Sequence, residues 1–79
     1  HAVDLVLRAH DRPALLKDIV TLLGNERINV LDLGTAVDRA RCIATVRLTV
    51  EVASLEALGR ILEKLTRLSG VFSARRHTE

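Results

Sequence analysis

The 79-residue chain contains no methionine, tryptophan or tyrosine, and only one cysteine, one proline and one phenylalanine. A single cysteine excludes an internal disulfide and a cysteine-rich metal cluster, and it fits a reducing, cytoplasmic compartment. With one aromatic ring, Phe72, near the end, the chain lacks the aromatic pair that RNA-recognition modules set on an open sheet to stack bases. Its longest apolar run is three residues, too short to span a membrane. No charged start leads into an apolar block, so no signal peptide is visible. Charge of one sign is also missing. Lys plus Arg number 12 and Asp plus Glu 10, a net charge of +2 that announces no nucleic-acid partner by itself. His1, His10 and His77 are scattered without ligand spacing, so neither a metal nor a cofactor is expected. The missing methionine leads to the expectation that these residues, 1–79, form a single domain cut from a longer protein.

Hydrophobic residues make up 48% of the chain, enough for one small core. Val3, Leu5, Leu7 and Ala9 alternate with polar neighbours, the period of a half-buried strand. Pro13 suits the first position of a helix whose apolar stripe is Leu15, Leu16, Ile19, Leu22 and Leu23, with Gly24-Asn25 as its stop. A second strand is expected over 28–37, with a bulge near Asp32–Gly34. After the polar turn Asp38–Arg41, a strict alternation of Cys42, Ala44, Val46, Leu48, Val50 and Val52 marks a third strand, with Cys42 on its core face. Ser54 caps a helix striped by Leu55, Leu58, Ile61, Leu62 and Leu65. Gly59 inside it is expected to mark close packing on the sheet. A last strand runs over 71–76. The order βαββαβ predicts an α+β ferredoxin-like sandwich, with two helices on one face of a four-stranded antiparallel sheet.

The most informative loop is His10-Asp11-Arg12-Pro13-Ala14, where a strand end meets a helix start. Free backbone N–H groups and the helix dipole favour an anion there. Asn29, at the mouth of the second strand, is expected nearby, its amide able to serve a zwitterion as both donor and acceptor. Both features also read as ordinary turn chemistry. An acylphosphatase-like enzyme would use an Arg and an Asn in similar places. Here the loop lacks a glycine-rich phosphate cradle, and Pro13 removes a donor.

Asp11-Arg12-Pro13-Ala14-Leu15-Leu16, Asp18-Ile19 and Ile28-Asn29-Val30 resemble the signature of ACT domains, regulatory modules that often bind amino acids. Asn25 to Leu31, Ala44-Thr45, Leu58-Gly59-Arg60-Ile61-Leu62 and Ala74-Arg75-Arg76 look like the C-terminal ACT domain of RelA/SpoT-type (p)ppGpp synthetases. That resemblance implies a parent that moves pyrophosphate from ATP to GTP, with its catalytic residues in another half, so that no residue here is catalytic. It implies an amino acid, a branched-chain one favoured, framed by Asp11, Arg12, Ala14, Leu15 and Asn29 with Leu31 nearby. It also implies a homodimer through ACT–ACT pairing, and docking to the ribosome or to other domains of the parent. The alternatives are an ACT domain of another amino-acid metabolic enzyme, or a ribosome- or RNA-docking module with no small ligand. Ala14 stands where ACT ligand sites commonly carry Gly. Alanine is compatible with helical angles, so the fold is expected not to suffer, while the ligand's room shrinks.

Overall fold

Alternation along the first and third apolar segments builds the centre of the sheet. In a computed structural model, which describes residues 1–78, β1 (Ala2–His10) buries Val3, Leu5, Leu7 and Ala9. β3 (Ile43–Glu51) buries Ala44, Val46, Leu48 and Val50. The two pair antiparallel from Ala2 opposite Glu51 to His10 opposite Ile43. β2 (Asn29–Asp38) and β4 (Val71–Arg76) flank them antiparallel in the order β2-β3-β1-β4. Helix α1 (Leu15–Asn25) contributes Leu15, Ile19 and Leu23 to the core, and α2 (Leu55–Thr66) contributes Leu58, Ile61 and Leu65. This is the expected ferredoxin-like sandwich. Among the described residues no polar or charged side chain is buried, so one apolar layer between helices and sheet carries the fold. No helix there is long and apolar enough to cross a membrane.

Coverage of the sheet is uneven. The helix-side residues of β1 and β3 are buried, whereas Leu33, Thr35 and Val37, which sit opposite Leu48, Val46 and Ala44, are exposed. β2 is thus an edge strand without a roof over most of its length. The expected bulge falls just before its predicted place: the β2–β3 register slips between Val30 and Asp32, leaving Leu31 unpaired and exposed.

Four local expectations are corrected. Pro13 is not the first helical residue; it lies in a turn, and α1 begins at Leu15. Gly24 and Asn25 are still helical, and Arg27, at φ 58, makes the left-handed turn out of α1. Cys42 is not on the core face. It sits in the β2–β3 turn at φ 56, exposed, because β3 starts one residue later. Gly59 does not mark close packing: a Cβ placed there meets nothing within 4 Å. Ser54 does cap α2, its Oγ accepting from the Ala57 N–H at 3.1 Å.

Because Gly59 is an exposed helix-interior glycine with open space around it, Gly59→Ala should raise unfolding free energy by about 0.5–1 kcal/mol. Urea titration checks this. A loss of stability would mean that a neighbouring surface packs on that position.

Candidate functional site

The loop from His10 to Ala14 is braced on both sides. His10 N–H donates to the Gly70 carbonyl at 2.9 Å, and Asp11 N–H donates to the Cys42 carbonyl at 2.8 Å. Arg12 completes the bracing. Its Nε donates to the Ser69 carbonyl at 2.8 Å, one terminal nitrogen to the Pro13 carbonyl at 3.0 Å, and the other to Asp18 Oδ2 at 2.8 Å. One planar fork therefore ties the loop, the first turn of α1 and the α2–β4 connection together. Gly70 closes this junction at φ +86, where a Cβ would come within 3.6 Å of Arg12 Nε.

Ala14 occupies the N-cap of α1 at φ 64 and ψ 12, a left-handed conformation, and offers no side-chain cap. The expectation that alanine costs the fold nothing here is therefore overturned, since the methyl group stands where only glycine is unstrained. The missing cap has a second consequence. Leu15 N–H makes a long bond to the Arg12 carbonyl at 3.4 Å and Asp18 N–H reaches Ala14 at 2.9 Å, while Leu16 and Lys17 N–H have no backbone acceptor outside the helix. Those two donors, at the positive end of the helix, are open to an anion.

Beside them lies a cleft of about 240 Å³ between α1 and the unroofed part of β2. Asp11, Arg12, Ala14 and Leu15 line it, as expected, together with Leu16, Lys17, Thr35, Val37, Ala44 and Val46. Asn29 and Leu31 do not belong to it within one chain. β1 and β2 are both antiparallel to β3, so they run parallel to each other, and the start of β2 lies at the start of β1. Asn29 pairs with Glu51 in register and through a 2.6 Å bond from Nδ2 to Oε1. The loop lies at the Ile43 end, eight residues along β3 from Glu51, or about 26 Å at ~3.3 Å per residue. Sequence reasoning missed Thr35 and Val37, the β2 residues that do face the cleft. Following strand direction through β3 would have found them.

Among the described residues no cluster of three or more His, Cys, Asp or Glu side chains could hold a metal ion. Three of the five Arg12 N–H donors are engaged, which leaves one on each terminal nitrogen. Besides Arg12, the titratable groups in the cleft lining are the Asp11 carboxylate and the Lys17 ammonium.

A family model of the ACT domain matches residues 1–76. The chain is 45% identical over 74 residues to GTP pyrophosphokinase of Escherichia coli (strain K12), a match that covers 91% of this chain and 10% of that protein. It is 36% identical over 74 residues to GTP pyrophosphokinase of Haemophilus influenzae, covering 94% of this chain and 10% of the relative. The chain thus spans about a tenth of the length of the curated relatives it matches. The crystal structure of the ACT domain from GTP pyrophosphokinase of Chlorobium tepidum superposes with a TM-score of 0.83 at 18% identity, covering 96% of each chain.

Relieving the left-handed alanine tests the local geometry. Ala14→Gly should raise stability by about 0.5–1 kcal/mol, the relieved strain less the added freedom of the unfolded chain. Thermal melting reads this as a rise of several degrees.

Proposed function

The chain belongs to the ACT domain family, and from that premise we propose that it is the regulatory domain of a GTP pyrophosphokinase, sensing a small apolar amino acid on behalf of a catalytic half elsewhere. The likeness to GTP pyrophosphokinases along nearly the whole chain supports that parent. The observation that carries the ligand is the uncapped α1 N-terminus opening beside an apolar cleft. A ligand carboxylate takes the Leu16 and Lys17 N–H groups. Its ammonium takes the Asp11 carboxylate, and a branched aliphatic side chain lies against Leu15, Leu16, Val37, Ala44 and Val46. Arg12 acts in this reading as the brace that holds the loop, and it does not grip the ligand.

A second copy pairing along β2 closes the open side of such a site. β2 is an exposed edge, and Leu31, Leu33 and Val37 on it, with Leu16 and Val20 on the adjoining flank of α1, are exposed apolar residues. Antiparallel pairing of two β2 strands about a two-fold axis brings Asn29 of one copy level with Asp38 of the other, on the sheet face turned away from the cleft. Binding in the cleft then biases how the domain docks on its parent, provided the ligand prefers one docked state.

The test is thermal unfolding against each of the twenty amino acids at millimolar concentration. A branched-chain amino acid at a hundred times its dissociation constant adds about 2.7 kcal/mol, a shift of roughly 10 °C or more for a domain of this size. The absence of any selective shift would overturn the sensing role.

A further inference from the structure

The two halves of the fold repeat each other. Exchanging β1 with β3, α1 with α2 and β2 with β4 turns the strand order β2-β3-β1-β4 into itself read backwards. An approximate two-fold axis therefore passes between β1 and β3. It carries the β1–α1 junction onto the β3–α2 junction, so the cleft beside α1 has a counterpart beside α2. That counterpart is a cavity of about 400 Å³ at the opposite end of the sheet, within the range of roughly 300–1,000 Å³ usual for small-molecule sites.

Corresponding positions carry different chemistry. Ser54 stands at the N-cap where the other half has Ala14, its backbone extended and its Oγ accepting from the Ala57 N–H. On the flanking strand Arg76 sits opposite Leu5, as Thr35 sits opposite Val46. Leu5 is buried under the helices, so Arg76 shares the helix side of the sheet, and it lines the cavity. Among the described residues Arg76 has no carboxylate partner. The His1 amino group at the rim donates to the Val52 carbonyl at 2.9 Å. No carboxylate lines this cavity, whereas the first cleft has Asp11. The buried Val3 and Val52 supply an apolar floor, and Leu55, 75% exposed, supplies an apolar wall.

We propose that this second cleft binds a short aliphatic carboxylate that carries no ammonium group. The planar Arg76 guanidinium takes the carboxylate through paired N–H donors. The Ser54 hydroxyl, whose oxygen already accepts from α2, has its proton free to donate to the same group. The aliphatic chain lies against Leu55, over Val3 and Val52. Selection against amino acids follows from charge. An ammonium held beside Arg76 meets a like charge, and the lining has no acid to offset it. Two sources share this chemistry, a branched 2-oxo acid and a short saturated fatty acid. The proposal goes beyond the amino-acid reading of the first cleft and does not depend on it.

The experiment is an NMR titration of the isotope-labelled domain with 2-oxoisocaproate, isocaproate, the uncharged isocaproamide and leucine. Both carboxylates should move the Leu55 amide and the Val3 and Val52 methyl groups together, to saturation. Tighter binding of 2-oxoisocaproate assigns the site to a 2-oxo acid, and equal or tighter binding of isocaproate assigns it to a fatty acid. Arg76→Gln should weaken binding by about 10-fold, the loss of a charged hydrogen bond. Leu55→Ala should weaken it several-fold, and Arg75→Gln, on the other face of the sheet, should leave it unchanged. Arg76 and Leu55 are both exposed, so both variants should fold, as melting curves will check. Acetylating the His1 amino group should leave binding intact. The proposal is overturned if neither carboxylate moves these residues saturably, or if isocaproamide or leucine binds there as tightly. Undiminished binding in Arg76→Gln, or loss of binding on acetylation, also overturns it. Leucine moving Leu16 and Val37 while neither carboxylate moves Leu55 defeats this proposal alone. The carboxylates moving Leu55 while no amino acid moves Leu16 defeats the sensing role alone.

Discussion

The Arg12 guanidinium joins three segments: the loop after β1, the first turn of α1 and the connection between α2 and β4, the first and last of which are also held by the His10 N–H on the Gly70 carbonyl. Hydrogen bonds from a charged donor are worth about 1.5–3 kcal/mol when well shielded, and less for the Asp18 contact, whose carboxylate side chain is 42% exposed. The geometric effect outweighs the energetic one. With Arg12 in place, Ala14 is held in a conformation that alanine resists, α1 starts without a cap, and its first free N–H groups face the cleft. On the other side the same fork holds the Ser69 carbonyl, while the His10 N–H holds that of Gly70. β4 begins at the next residue, Val71.

A second constraint is the uneven roof. The helices bury the inward residues of β1 and β3 and leave Leu33, Thr35 and Val37 of β2 open. An edge strand with an apolar inner face is a liability in a monomer. The same gap provides the cleft its apolar wall and leaves room for a second copy. The cleft lies on the helix side of the sheet, and Arg8, Arg47 and Arg75 lie on the other.

Much of the fold was legible because its signals were local and redundant. The alternation from Ala44 to Val52 admits one reading, and Ser54 before an apolar stripe is a cap with a mechanism. What stayed hidden were the places where common residue types adopt uncommon conformations. Ala14, Arg27 and Cys42 all have positive φ, and none of these types advertises it, so Pro13, Gly24 and the core face of Cys42 attracted the assignments instead. The site was half legible. Asp11, Arg12, Ala14 and Leu15 are adjacent in sequence and necessarily share a loop. Asn29 was misplaced because its position depends on strand direction, a property of the whole sheet. Phe72 meets His10 and Arg8 where the β1–β4 register slips, and no sequence period signals that.

The central claim is that an amino acid sits at the N-terminus of α1 against β2. Mapping chemical shifts in the isotope-labelled domain during titration with valine or leucine tests it most directly. The account predicts that the Leu16 and Lys17 amides and the Val37 and Val46 methyl groups move together and saturate, while Thr45, Arg47 and Ser73 on the opposite face stay still. Perturbations centred on that opposite face, or no movement at α1 under saturating ligand, would contradict it.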